Sequence, residues 1–167
     1  MKHTIMRNIF ICLLLVGFAL KGAAGAEHPG LEKKLAADAE LACEAFAACD
    51  RYLEGWCSKI DPSTGLLPQN LLNPDGNRWT AWNSAADNFP FMVIAARFTR
   101  LGFAEPLFRK AMIGEKKLTI GAFGLPVAYD LARGVRLDES LDRTIFGASE
   151  YAKDGLMPML EILGPGA

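Results

Sequence analysis

The stretch that decides the fold is LEKKLAADAELACEAFAACDRYLEGWCSK, Leu31–Lys59. Its apolar residues Leu31, Leu35, Ala42, Phe46, Cys49, Leu53 and Trp56 recur at spacings of three, four and seven, with charged residues between them. That is the period of one face of an α-helix. Asp61-Pro62-Ser63-Thr64-Gly65 ends the pattern, because Pro62 drives the residue before it out of the α region and Gly65 suits a turn. Leu66–Arg78, with two further prolines and Asn73-Pro74-Asp75-Gly76-Asn77, reads as an extended loop.

Beyond the loop, the helical period returns. Asp87 or Asn88 can cap a helix that opens at Pro90 and ends at Gly102, and Pro106 can open another that reaches Lys117. Gly121, Gly124 and Pro126 interrupt, and Val127–Arg133 reads as a short helix stopped by Gly134. A last helix, capped by Asp138, carries Leu141, Ile145, Phe146, Tyr151, Leu156, Leu160 and Leu163, with Gly155 and Pro158 placed to bend it. No segment sustains an alternation of period two, so the expected class is all-α with no sizeable sheet.

Upstream, Lys2 and Arg7 precede the apolar run Ile9–Leu20, and small residues Gly22–Ala26 follow. This order is that of a signal peptide cleaved after Ala26, with an apolar core too short to span a bilayer. Residues 1–26 are therefore expected to be removed, leaving 27–167 as one exported α-helical domain, periplasmic or extracellular. Of the chain's 18 basic and 19 acidic residues the mature part keeps 15 and 19, a net charge of −4. A mildly acidic chain without a basic stripe offers nothing to nucleic acid, and no second apolar run offers anything to a membrane.

Cys43, Cys49 and Cys57 lie on the one long helix. At 1.5 Å per residue the nearest pair is about 9 Å apart, beyond disulfide reach. Burial as small apolar groups is the expected fate of these cysteines. With His28 the only mature histidine, neither a zinc site nor a His-dependent nucleophile is expected. No Gly-rich phosphate loop is present. Asn73-x-Asp75-x-Asn77 has some calcium-loop oxygens, but Gly76 comes early and Ser84 stands where a Glu ligand belongs, so it reads as a turn. Neither a metal nor a cofactor is expected.

Carboxylates are left as acids and bases. Trp79-Thr80-Ala81-Trp82-Asn83-Ser84-Ala85-Ala86-Asp87-Asn88 combines flat aromatic faces with amides and an acid at a helix mouth, which suits sugar rings and their hydroxyls. The same residues can equally be core aromatics and a helix cap. Glu150 and Asp154, one turn apart with Lys153 between, can act as acid and base or can be an exposed ion-pair cluster.

The D-P-x-T-G-L-x-P loop (Asp61–Pro68), the W-N-x-A-A-D-N-x-P-F element (Trp82–Phe91) and Gly147–Gly155 together resemble the six-hairpin glycosidase type of (α/α) toroid. The resemblance implies helical hairpins that form part of an incomplete (α/α)6 ring, since the chain has less than half of a full ring's residues. It implies glycoside cleavage, or lyase chemistry, at a funnel bearing Asp87 with Glu150 or Asp154 as catalytic carboxylates. Trp79, Trp82, Asn83 and Asn88 would be substrate-binding. The alternative is a non-catalytic helical module that binds a partner, or another copy, through exposed apolar helix faces.

Overall fold

Asp61 organises the first turn. In the computed structural model its Oδ1 accepts the Ser63 and Thr64 N–H groups at 3.1 and 2.7 Å and both hydroxyls at 2.6 and 2.7 Å. Slight burial alone would raise its pKa, but these four bonds outweigh burial and hold the carboxyl below its usual range. Gly65, at φ +79°, closes the turn through its N–H to the Asp61 carbonyl at 2.8 Å, in a left-handed conformation that glycine adopts without penalty. The structure describes residues 29–69, 71–72 and 77–164. The proposed signal peptide and the Asn73–Gly76 part of the turn read as calcium-like lie outside them.

The described chain is mostly helical. Helix α1 (Pro29–Cys57) begins in one compact unit, up to Ala48, and ends in a second, from Cys49 onward. In the first unit Leu31, Leu35, Leu41 and Phe46 are exposed, whereas in the second Leu53 and Cys57 are buried. The expectation of buried cysteines therefore holds for Cys57 alone: Cys49 is half-buried and Cys43 exposed. Among the described residues no helix is long and apolar enough to cross a membrane.

The second unit is built on α2 (Phe89–Phe98) and α3 (Leu101–Leu118). A break at Thr99–Arg100 separates them. The Thr99 hydroxyl donates to the Ala95 carbonyl at 2.7 Å, and the Arg100 guanidinium is drawn to Asp50 at 2.5 Å. Helix α3 thus begins at Leu101 and carries Pro106 inside it, whereas the sequence placed a stop at Gly102 and a start at Pro106. The Asp61 loop straps onto α3: Lys110 Nζ donates to the Pro62 carbonyl, and a Cβ at Gly114 would overlap the Thr64 carbonyl oxygen.

A short antiparallel sheet joins β1 (Arg78–Trp79), β2 (Tyr129–Asp130) and β3 (Val135–Arg136). Trp79 faces Tyr129, and Tyr129 faces Arg136. The helix expected over Val127–Arg133 is corrected here to a hairpin. Asp130 Oδ1 takes the Ala132 and Arg133 N–H groups at 3.0 and 2.9 Å, and Gly134 at φ +67° bonds back to the Asp130 carbonyl. These local bonds reverse the chain, and pairing to β1 satisfies the backbone that a helix would have satisfied internally.

The chain ends with α4 (Leu141–Glu150), a π turn at Tyr151–Leu156 and α5 (Met157–Leu163). Ser140, not Asp138, is the residue at the start of α4. A second π turn, Ala81–Ala86, precedes α2. Each π turn is followed by an α-helix with proline at its second residue, Pro90 and Pro158. These prolines lack the N–H that would reach the carbonyl four residues back, at Ala86 and Asp154. The wider turns carry i→i−5 bonds instead, Asp87 N–H to Trp82 and Met157 N–H to Ala152.

The glycines on α3 provide a test of this packing. Gly114→Ala should destabilise the fold by about 1–3 kcal/mol, because the new methyl must displace loop backbone. Gly102→Ala, with open space around it, should be neutral or stabilising by up to about 1 kcal/mol. Chemical denaturation of the two variants reads this opposite sign, and equal effects would show that the loop does not press on α3.

Candidate functional site

The two π turns hold Trp82, Asn83 and Asp154, with Asp87 and Glu150 directly adjoining them, and they pack on each other. A Cβ at Gly155 would lie 3.5 Å from the Ala86 nitrogen, in van der Waals contact, and 3.0 Å from the Tyr151 ring, which it would crowd, so the turns abut closely at this glycine. Asp87 and Asp154 each stand one residue from that contact. Asp87 is exposed and Asp154 half-exposed. Lys153 bridges Glu150 at 3.0 Å and Asp154 at 3.2 Å, and the hydrogen bonds to these two carboxylates raise its pKa. No hydrogen bond or ion pair joins Asp87 to either acid among the described residues.

The two tryptophans part company. Trp79 is 0% exposed. Its indole Nε1 donates to Glu115 at 3.0 Å, and its ring meets Tyr151 edge-on at 5.9 Å. It offers no face to solvent in this structure and serves as core. Asn88 is also buried, its Nδ2 donating to the Asn83 carbonyl at 2.6 Å and the Ser84 carbonyl at 3.4 Å. Those bonds satisfy carbonyls inside the π turn, which is structural work. Trp82 and Asn83 are half-exposed. Trp82 packs against Phe146 at 6.0 Å with the Arg143 guanidinium 5.0 Å from its ring centre, and Gly147 makes room for it: a Cβ there would lie 2.8 Å from the indole.

The group that sequence reading missed is Glu115. Within Glu115-Lys116-Lys117 it looks like one more solvated helical charge, yet it is 1% exposed. Its Oε1 accepts from Trp79 and its Oε2 from the Tyr151 hydroxyl at 2.5 Å. Burial pushes its pKa up to about 8, opposed by the two hydrogen bonds, so the carboxyl is mainly protonated at neutral pH. Burial, with Glu115 beside it, raises the Tyr151 phenol as well. Position was the only available signal: Ala111, Glu115 and Leu118 follow Phe108 at helical spacing, on the face that meets the core.

Burial also pushes the Cys57 thiol up to about 11, against the pull of the Arg100 charge. It is a packing group with little thiolate at neutral pH. Among the described residues no cluster of His, Cys, Asp or Glu is arranged to hold a metal ion.

Glu115 makes stability depend on pH in a defined sense. Its folded value lies above the unfolded 4.5, so the stabilisation is complete below pH 4.5, erodes as pH rises through about 8 and is gone above. Glu115→Gln should flatten this slope, and at alkaline pH it should gain on the native chain by a few kcal/mol, an order-of-magnitude figure. Melting curves measured from pH 5 to pH 9 check it; parallel slopes for the two proteins would clear Glu115 of responsibility. The chain matches no protein-family model, no curated protein and no solved structure.

Proposed function

We propose that this chain is an exported carbohydrate-active protein, a portion of an (α/α) toroid, whose working face lies where the two π turns meet. The observation that supports the reading is that these turns bring together two segments singled out independently in the sequence, one with Trp82, Asn83 and Asp87 and the other with Glu150 and Asp154. π turns are uncommon, and they occur frequently at functional sites because they re-aim side chains that a regular helix would space evenly. Trp82 supplies a flat ring for a pyranose and Asn83 an amide for its hydroxyls. Asp87, with Asp154 or Glu150, supplies the carboxylates for acid and base assistance to glycoside cleavage. Trp79 and Asn88 support this face from behind and take no part in contact with the sugar.

The purified chain, offered a panel of neutral and acidic oligosaccharides, should bind at least one class. Trp82→Ala should weaken that binding by roughly tenfold, the worth of a stacked ring. Asp87→Asn and Asp154→Asn should each remove turnover while leaving binding in place. A panel without binding or turnover counts against the proposal; binding without turnover keeps the face and removes the chemistry.

A second reading, a helical module that associates through an apolar face, is favoured by α2. Phe91, Ile94 and Phe98 follow one another at three and four residues and are 64%, 48% and 67% exposed, which makes an outward apolar stripe. On this reading, light scattering shows association that grows with concentration, and Phe91→Ser with Ile94→Ser abolishes it. A chain that stays monomeric at high concentration rejects self-association.

A further inference from the structure

Glu115 and Tyr151 form the polar edge of a cavity of about 350 Å³. Met112, Ile113, Leu156 and Leu160 supply apolar wall. Ile113 and Leu160 are exposed and mark the mouth, while Glu115 lies within. The volume falls in the range of small-molecule sites, and the lining combines apolar side chains with four polar ones, Glu115, Lys116, Thr119 and Tyr151.

The chemistry at the inner edge is unbalanced. The Glu115 carboxyl accepts from two neutral donors, Trp79 and Tyr151, which hold both oxygens in place. Among the described residues no Lys, Arg or His forms an ion pair with it. Each oxygen accepts one bond and keeps a second acceptor site. With no cation paired to it, a buried carboxyl held this way keeps its own proton; a cation that displaced the proton would make a charge-assisted bond, which gains strength where water is excluded.

We propose that this cavity binds an amphiphilic organic cation, its ammonium head on the Glu115 carboxyl and its aliphatic body along Ile113, Leu156 and Leu160. The head takes the place of the acid's proton: the neutral carboxyl and the ammonium become a carboxylate–ammonium pair, and one proton leaves to solvent. The raised pKa of Glu115 makes that release measurable near neutral pH. Tyr151 and Lys116 are the other titratable groups lining the cavity. Tyr151 stays a neutral donor, and Lys116 is exposed, where solvent and salt screen its charge from the inner edge. This site is independent of the carbohydrate reading, and a glycan panel does not test it.

Calorimetric titration of the purified chain with hexylammonium, hexan-1-ol and hexanoate tests the proposal. Hexylammonium should bind about tenfold or more tighter than the alcohol, as a charge-assisted bond does over a neutral one, and hexanoate should be weakest. Repeating the ammonium titration in buffers of different ionisation heat should show proton release. Glu115→Gln should erase the preference for ammonium over alcohol, and Leu160→Trp, which fills the mouth, should weaken every probe. The idea is overturned if the native chain binds none of the three, if it prefers the alcohol or the acid, or if the Gln variant keeps the ammonium preference. Selectivity among the three probes and the Leu160→Trp result decide the matter even if Glu115→Gln does not fold.

Discussion

A single buried carboxyl ties the second unit together. Glu115 on α3 receives Trp79 from β1 and Tyr151 from the π turn after α4, each 36 residues away along the chain. Sheet, central helix and C-terminal helical segment therefore meet at one polar point inside an apolar core. Left without donors, such a group would cost several kcal/mol; satisfied by two, it fixes the relative placement of three elements that apolar contact alone would leave free to slide. The T-shaped meeting of Trp79 and Tyr151 is a product of the same arrangement, since both rings must aim their polar edges at one carboxyl.

The local grammar of the chain was legible wherever a short-range force decides the structure. The long helix through Leu31–Trp56, the Asp61–Gly65 turn and the helical character of the Pro90 and Leu141 segments all follow from periodicity, caps and proline. What escaped was decided by partners distant in sequence. Val127–Arg133 has apolar spacing compatible with a helix, but β1 offers it backbone partners and Gly134 lets it turn. Pro106 looked like a helix start because a proline interior to a helix is rare; the break fell instead at Arg100, whose side chain is held by Asp50. Glu115 was invisible because nothing in Glu115-Lys116-Lys117 distinguishes a buried acid from a solvated one.

The candidate surface was legible in part and for a physical reason. Trp79 and Trp82 lie three residues apart, and composition cannot say which of them packs inward. Trp79 closes a two-residue strand and Trp82 sits inside a π turn, so they point by rules that no single helix or strand pattern supplies. The indole N–H decides it: Trp79 has an acceptor waiting in the interior, and Trp82 has only Phe146 and Arg143 to lean on. Asn88 stands at the N-cap position of α2, as the sequence allowed, but its side chain makes no cap bond and instead satisfies carbonyls of the preceding turn.

The π turn at Tyr151–Leu156 carries a consequence for how this chain can change length. A π turn accommodates one more residue than the α turn it replaces, and the phase of everything after it depends on that residue being there. At 3.6 residues per turn, deleting one position would rotate α5 by about 100° relative to α4. Met159, now fully buried, would swing off the core, and the exposed Leu160 would come round toward its place. The same deletion within an exposed loop would pass unnoticed, so this six-residue segment should accept substitutions far more readily than any loss or gain of a residue.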